Sequence, residues 1–292
     1  LGNELMALFG ARAVHPVGVC VGGFYSGLSE DKAAKLLPEV RDCLDEMCDL
    51  TLFMAKNLDY PDLERDYEFL SVFPEDEYPM NLGKLKSNKG LLVEQEELLD
   101  AIEERHVSHS TSLHAVVMGR GAYMVGPLAR FNLCYDKLHP RAAELVPKVC
   151  DAIGKQPPWQ NNFYSLLARA IETVHALALA ADILDGYKRP KQSRVEITPR
   201  AGVGAHGTEA PRGLCWHQYR TDAEGKIESA RIIPPTSQNQ LVVEEDLKDL
   251  AEKEADLSDE DLTFRCEHLI RNYDPCISCS CHFLKLQREW LD

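Results

Sequence analysis

The most constraining feature of this 292-residue chain is a group of metal-ligand side chains near its C-terminal end, at residues 272–282. Cys276 and Cys279 are three positions apart, Asp274 precedes the first cysteine by two positions, and His282 follows the second by three. Thiolates select soft and borderline metals such as nickel, iron, zinc and copper(I). The Cys-x-x-Cys spacing alone is compatible with a metal site or with a pair of core cysteines. The fold must therefore bring this segment to a metal site or into the interior.

Four further motifs precede this segment. They are residues 12–17 (Arg-Ala-Val-His-Pro-Val) followed by Gly22 and Gly23, residues 125–132 (Val-Gly-Pro-Leu-Ala-Arg-Phe-Asn), residues 207–213 (Gly-Thr-Glu-Ala-Pro-Arg-Gly) and residues 235–239 (Pro-Thr-Ser-Gln-Asn). With the Asp-Pro-Cys-x-x-Cys-x-x-His string of residues 274–282, the set resembles the large subunit of nickel-iron hydrogenases. The resemblance is strongest to the soluble, cytoplasmic, cofactor-coupled branch, in which a tyrosine precedes the aspartate, as Tyr273 does here.

The resemblance implies a mainly α fold with a small β excursion, a long-helix bundle of the hydrogenase large-subunit type. It implies reversible heterolytic cleavage of dihydrogen at a nickel-iron centre whose iron carries carbon monoxide and cyanide. Electrons would pass to iron-sulfur clusters in a small subunit, and further electron-transfer subunits would join the assembly. Two alternatives share the fold: a non-catalytic scaffold, as in respiratory-complex subunits that lack the metal ligands, and an unprocessed, metal-free precursor. Retention of Cys276, Cys279 and Arg212 favours the catalytic subunit.

Residue roles follow from the same resemblance. Cys276 would be a terminal nickel ligand, and Cys279 would bridge nickel and iron. Arg212, next to Pro211, would hold a guanidinium over the open coordination position, and Asp274 would orient it. Asp274 is also a residue type that caps a helical turn.

Pro235 and Thr236 would contact a cyanide on the iron, because an anion in an apolar pocket needs hydrogen-bond donors. The alternative for Thr236 is a local side-chain turn. His15 and His217 are predicted to be structural, and Cys281 is predicted to be a packing or oxidisable residue rather than a ligand.

In the resembled family, a histidine at the position of His282 is the last residue after maturation and helps bind a structural Mg²⁺, with a backbone carbonyl near Ile232 as a second ligand. Ten residues follow His282 here. The resemblance implies that a maturation protease removes them once nickel is loaded, and the alternative is that this branch keeps its tail. The freed carboxylate would then suit Mg²⁺, which prefers oxygen ligands.

A second Cys-x-x-Cys, expected in the N-terminal part of such subunits, is not found in this chain. The first 130 residues contain Cys20, Cys43 and Cys48, and none of them has that spacing. We therefore expect an N-terminal part of the large subunit, outside this chain, to complete the metal site.

Composition limits the choice of partners and compartment. With 32 basic and 47 acidic residues, the formal net charge is −15, which argues against nucleic acid as a partner. The ten cysteines are scattered through long helical patterns, so reduced thiols in a cytoplasmic protein are predicted. No apolar run reaches the roughly 18 residues that a transmembrane helix needs.

Periodicity gives a coarse division of the chain. Residues 1–197 are predicted to be a mainly helical bundle, residues 198–240 a small β and turn region, and residues 241–292 helices with the metal-ligand segment. Within these parts, long helices are predicted over residues 29–57 and 157–184 and further helices over residues 244–261. A loop or short-strand excursion is predicted over residues 60–89, and a hairpin is predicted with its turn at residues 223–225.

Overall fold

The computed structural model describes residues 1–276, which form helices around one main core and several small sheets. The helices are α1 (Gly2–Gly10), α2 (Glu30–Asn57), α3 (Pro127–Cys134), α4 (Pro140–Ala143), α5 (Leu145–Ile153), α6 (Ser165–Asp185), α7 (Pro235–Lys253) and α8 (Asp259–Asn272). The strands are β1 (Val19–Cys20), β2 (Gly23–Phe24), β3 (Leu70–Phe73), β4 (Lys84–Ser87), β5 (Leu92–Val93), β6 (Ile102–Arg105), β7 (His114–Val117), β8 (Gly202–Ala210), β9 (Gly213–Thr221) and β10 (Ile227–Ile233). The predicted fold class, mainly α with small sheets, is confirmed.

Helix α2 matches its prediction. Its N-cap is Ser29, with an extended backbone, and its first turn carries Glu30 and Asp31, whose charge favours the positive end of the helix dipole. Helix α6 begins later than predicted, at Ser165 rather than at residue 157. Consecutive prolines at 157 and 158 cannot donate backbone hydrogen bonds, and the Asn161 side chain accepts from the backbone N–H of Phe163 to start a short 3₁₀ turn instead.

The main core forms around α6, which packs against α2, α3, α4 and α5. Leu167, Ile171 and Val174 on α6 are fully buried. Phe131 of α3 stacks on Trp159 with ring centroids 4.4 Å apart. The helix bundle is therefore a rigid support for the segments that follow it in sequence.

The sheets extend further than the predicted β excursion. The strands predicted within residues 60–89 are present as β3 and β4, and β5 completes their antiparallel sheet. Strands β6 and β7 form a separate antiparallel pair. These strands are two to four residues long, too short for an alternating hydrophobic pattern to show in the sequence.

The predicted hairpin at residues 223–225 is present between β9 and β10, where the N–H of Gly225 donates to the carbonyl of Asp222. Strand β8 adds a third strand, in the order β10-β9-β8. Residues 235–240, assigned from sequence to the β and turn region, form the first turns of α7 because Pro235 occupies an early helical position. No helix within residues 1–276 has both the length and the apolar character that a membrane crossing requires.

Candidate metal-binding cleft

A cleft of about 450 Å³ lies where the β8–β9 turn, the end of β10, the start of α7 and the segment before Cys276 meet. Most of the predicted site residues line it, although they are spread over more than sixty positions of sequence. The lining includes Pro211, Arg212, Ile232, Pro235, Thr236 and Cys276. Cys279 and His282, together with Cys281, lie outside the described residues.

Arg212 is at the tip of a two-residue hairpin. Ala210 pairs with Gly213, so Pro211 and Arg212 alone connect β8 to β9. Gly213 has a φ of +132°, which only glycine adopts readily. The turn packs against a second glycine loop, because a Cβ on Gly126 would lie 2.9 Å from the carbonyl oxygen of Arg212. The motifs at residues 125–132 and 207–213 are therefore interlocked in space.

Arg130 hydrogen-bonds the backbone of this hairpin. It is 5% exposed and makes a bidentate pair with Glu172, with Nε–Oε1 and Nη2–Oε2 distances of 2.6 and 2.7 Å. Its Nη1 also donates to Glu209 at 3.0 Å and to the carbonyl of Ala210 at 2.9 Å, and its Nη2 donates to the carbonyl of Pro211 at 3.2 Å. Arg130 therefore fixes the backbone of the turn that presents Arg212.

Burial and neighbouring charges shift the pKa values of Arg130 and Glu209. Burial works to lower the pKa of Arg130, but Glu172 and Glu209 outweigh it and raise that pKa. Burial raises the pKa of Glu209 even though Arg130 opposes the shift. Glu209 also accepts a hydrogen bond of 2.9 Å from the backbone N–H of Val72, which ties the hairpin to β3.

Arg212 and Asp274, which the sequence analysis predicts to be partners, are in contact. The Arg212 Nε donates to the backbone carbonyl of Asp274 at 2.5 Å, and its distance to the carboxylate Oδ2 is 3.5 Å. Asp274 has a left-handed φ of +48°, which turns the chain back towards Arg212. Arg169 lies 3.7 Å from the same carboxylate. Burial lowers the pKa of Arg169, and the charge of Asp274 opposes that shift.

Thr236 contacts the ligand-bearing segment directly, since its hydroxyl accepts a 3.4 Å hydrogen bond from the backbone N–H of Cys276. A hydroxyl that accepts one bond can still donate another. Ser237 instead donates to the carbonyl of Pro234 at 3.0 Å, a local turn contact. Of the two hydroxyls, that of Thr236 is the one linked to the cysteine segment.

Buried amides attach the start of α7 to the rest of the cleft. The Gln238 Nε2 donates to the carbonyls of Leu214 at 2.5 Å and Ile233 at 3.1 Å, which joins α7 to β9 and β10. The Asn239 amide accepts from the N–H of Val125 at 2.8 Å and donates to its carbonyl at 3.2 Å. Three of the sequence motifs thus meet through side-chain-to-backbone bonds.

The segment leading to Cys276 is anchored at Tyr273, whose hydroxyl donates to Asp246 Oδ2 at 2.5 Å. Tyr67 donates to the same oxygen at 2.7 Å, and Arg65 donates to the other carboxylate oxygen at 3.1 Å. Burial and the charge of Asp246 raise the pKa of Tyr273, so it remains a neutral donor. Two residues, Asp274 and Pro275, separate this anchor from Cys276.

Sequence reasoning assigned no role to Arg130, Glu172 or Glu209. Arg130 and Glu209 stand inside two of the recognised motifs, so the pairing of a buried arginine with a carboxylate was a signal available there. Glu172 belongs to no motif. Ile232, whose carbonyl is predicted to bind Mg²⁺, lines the cleft and is 48% exposed. His217 is outside the cleft lining and contacts the hydroxyl of Tyr219 at 2.8 Å.

The donor set suits a soft metal. Cys276 is the cysteine in the described part of the lining, Arg212 supplies a cation, and Pro211 and Pro235 supply apolar surface. The carboxylate of Glu104, also in the lining, is occupied by Arg231 at 3.1 Å. A cleft at the meeting point of helices and a hairpin, with apolar surface and a few convergent polar groups, has the features of a ligand-binding site.

The chain belongs to the nickel-dependent hydrogenase family, whose sequence pattern matches residues 118–282. It is 33% identical to sulfhydrogenase 1 subunit alpha of Pyrococcus furiosus over 290 residues, which cover 98% of this chain and 66% of that protein. It is 31% identical to the NAD-reducing hydrogenase HoxS subunit beta of Cupriavidus necator over 63% of this chain and 39% of that subunit. A crystal structure of an NAD⁺-reducing [NiFe]-hydrogenase superposes with a TM-score of 0.81, at 20% identity, over 96% of this chain and 66% of the other.

These matches agree with the family predicted from the motifs. The chain spans 66% of the length of the Pyrococcus relative. The structural likeness, at 20% identity, establishes the fold.

Proposed function

We propose that this chain is the catalytic part of a nickel-iron hydrogenase large subunit, which interconverts dihydrogen with protons and electrons. The observation that carries the proposal is the cleft, where Pro211, Arg212, Pro235, Thr236 and Cys276 converge from three separate motifs. Membership of the nickel-dependent hydrogenase family supports the choice of metal.

The residues that would hold the centre are Cys276 and Cys279, through their thiolates. When bound, a nickel-iron centre with carbon monoxide and cyanide on its iron supplies the chemistry for heterolytic cleavage of dihydrogen into a hydride and a proton. The hydroxyl of Thr236 is held near Cys276 by the 3.4 Å bond and would donate to a cyanide. Pro211 and Pro235 would keep water from the same surface.

Arg212 would act as a fixed cation at the open side of the centre. The guanidinium is 44% exposed, and its Nε is held by Asp274, so its remaining N–H groups can reach into the cleft. A preorganised charge in a site that excludes water stabilises developing charge more strongly than the same charge in water. Asp274 would orient Arg212, and the backbone bonds from Arg130 would keep the hairpin from shifting.

Further partners follow from the proposed function. An N-terminal part of the large subunit would supply the remaining thiolates, and an iron-sulfur small subunit with further electron-transfer subunits would carry the electrons. A structural Mg²⁺ would bind His282 and the carbonyl of Ile232. The assembly would be cytoplasmic.

We also propose that a maturation protease cleaves after His282. Intact-mass measurement of the active enzyme tests this step. A large-subunit peptide ending at His282 in nickel-loaded enzyme supports it, whereas fully active, nickel-loaded enzyme whose peptide still ends at Asp292 contradicts it.

The decisive experiment on the proposed function is infrared spectroscopy with metal analysis on the purified assembly that contains this chain. We expect nickel, iron in excess over nickel because the partner subunits carry iron-sulfur clusters, infrared bands of iron-bound carbon monoxide and cyanide, and hydrogen uptake with an artificial electron acceptor. A mature, folded assembly with none of these bands would identify a non-catalytic scaffold and contradict the proposal. Bands and nickel present in cleaved protein but absent from uncleaved protein would identify the latter as a precursor.

A further inference from the structure

A second group of metal-ligand side chains lies beside the cleft and has no part in the function proposed above. His109 is in the loop between β6 and β7, His114 is the first residue of β7, and Glu244 is on α7. One ligand atom from each of the three lies within 4.8 Å of the other two. The group contains no thiol and is separate from the proposed Mg²⁺ ligands Ile232 and His282.

The distances are those of a first coordination shell without its ion. The Nε2 atoms of His109 and His114 lie 2.9 and 3.3 Å from the same carboxylate oxygen, Oε1 of Glu244. Zinc bonds to nitrogen and oxygen of about 2.0–2.2 Å in a tetrahedral shell separate neighbouring ligand atoms by about 3.3 Å. The two imidazole-to-carboxylate distances are therefore close to those of such a shell, and the third pair of ligand atoms lies within 4.8 Å.

His114 gives a second, independent reason to expect a ligand. It is 3% exposed, and its Nε2 makes no hydrogen bond among the described residues, because its approach to Glu244 has poor hydrogen-bond geometry. A buried ring nitrogen without a partner costs free energy comparable to a lost hydrogen bond. A metal ion at the centre of the group would satisfy this nitrogen.

The exposure of the three residues indicates an open site. The side chain of His109 is 63% exposed and that of Glu244 is 31% exposed, whereas that of His114 is 4% exposed. Three protein ligands on one side and solvent on the other leave a fourth position for water. Two imidazoles with one carboxylate favour a borderline ion of the zinc class over Mg²⁺ or Ca²⁺, which prefer oxygen ligands alone.

We propose that His109, His114 and Glu244 bind one divalent ion of the zinc class, which ties the β6–β7 loop to α7. The loop matters because Thr111, Ser112 and Leu113 lie between the two histidines and line the cleft. Helix α7 carries Thr236 at its start. The ion therefore connects the β6–β7 loop to α7, which form two walls of the cleft. It positions these walls without contacting the proposed nickel-iron centre.

The test uses zinc titration of the full chain against a chromophoric chelator. Cys276→Ser and Cys279→Ser are both introduced so that these thiols do not compete for zinc. His109→Ala removes an exposed ligand without opening the core, and His106→Ala, an exposed histidine of the same loop outside the group, is the matched control. We expect one zinc site in the parent and in His106→Ala, and an affinity at least about 100-fold lower in His109→Ala.

A second measurement identifies the ligands. Cobalt(II) bound to the parent should show visible d–d absorption without thiolate charge-transfer bands, and this absorption should disappear in His109→Ala and in Glu244→Gln. Equal zinc affinity in the parent and His109→Ala would overturn the proposal, as would a parent that binds no zinc. Because the nickel ligands are absent in every variant, failure of the hydrogenase proposal would leave this result unaffected.

Discussion

Arg130 and Arg212 lie on opposite sides of the same hairpin turn, and their surroundings differ completely. Arg130 is buried, and all its guanidinium nitrogens bind carboxylates or carbonyls. Arg212 is half-exposed, and Asp274 holds only its Nε. Every guanidinium nitrogen of Arg130, on the supporting side, therefore has a partner. Arg212, on the cleft side, retains N–H donors with no partner among the described residues. Substitutions on the supporting side should therefore act on stability, and those on the cleft side should act on metal binding or turnover.

The largest effect is expected from Cys276→Ser. A serine hydroxyl does not replace a thiolate as a ligand for a soft metal, so we expect nickel content and hydrogen turnover to fall below detection while the fold is retained. Metal analysis and circular dichroism on the same sample measure both. Cys43→Ser, on α2, is the control and should keep both nickel and turnover. Full nickel content in Cys276→Ser would place the metal elsewhere.

Arg130→Met should destabilise the protein by about 3–5 kcal/mol, because it leaves the carboxylates of Glu209, which is largely buried, and of Glu172, which is partly buried, without their cation. Urea unfolding followed by circular dichroism measures the free energy of unfolding. The control is Arg41→Met, which removes a surface ion pair with Asp185 and should cost at most about 1 kcal/mol. Similar losses in both variants would contradict the difference between the two sides of the hairpin.

Arg212→Lys should leave the metals bound and lower hydrogen turnover by about two orders of magnitude or more. Lysine keeps the charge but loses the planar fork, so the substitution tests geometry rather than sign. Turnover per nickel is the quantity to measure. Arg220→Lys, on the exposed side of β9, is the matched control and should be neutral. Unchanged turnover per nickel in Arg212→Lys would rule out the assigned role.

His175, on α6 three positions after Glu172, makes the stability of the helix bundle depend on pH. Burial lowers its pKa to about 4, and its Nδ1 accepts a 2.9 Å bond from the N–H of His139, which requires the neutral ring. Because the folded pKa is below the unfolded value of about 6.5, this contribution is complete above pH 6.5 and is lost as pH falls towards 4. Between pH 7 and pH 5 the free energy of unfolding should fall by about 2 kcal/mol.

Urea unfolding at several pH values measures this loss. His175→Gln can accept the same hydrogen bond without titrating, so its curve should be flatter over this interval. Parallel curves for the two proteins would show that another group is responsible.

The smallest effect is expected at the anchor of the cysteine segment. Tyr273→Phe removes one of three donors to Asp246 and should cost about 1 kcal/mol, with a larger relative loss of nickel occupancy because Cys276 follows closely. Tyr25→Phe, at an exposed position, serves as control. Loss of stability without any change in nickel occupancy would show that the anchor supports the core rather than the metal.

The sequence predicted those parts of the molecule that depend on local patterns. Helix α2 follows from its apolar spacing, and the cleft residues follow from recognised motifs. The support for the cleft depends on tertiary contacts instead. Arg130 meets Glu172 and Glu209 across 42 and 79 positions of sequence, and no periodic pattern encodes such a pairing.

The histidine group shows a signal that was present but not used. His106, His109 and His114 fall within nine residues, and a short histidine-rich tract is a compositional indication of metal binding. Glu244, however, is 130 positions beyond His114, at the start of the helices predicted over residues 244–261. Only the packing of β7 against α7 brings the carboxylate to the histidines.

The interlock of the two glycine loops determines which parts of the cleft can be engineered. A Cβ on Gly126 would meet the carbonyl of Arg212, and one on Gly213 would lie 2.6 Å from the Val125 side chain. A side chain at either glycine would need space that the opposite loop already fills, so a second substitution cannot compensate for the first. Libraries designed to retune the cleft should keep both glycines invariant and vary Pro211 and the tip side chain at position 212, where change does not displace the backbone. Natural variation among homologues should follow the same asymmetry, with both glycines retained while the residues at positions 211 and 212 vary more.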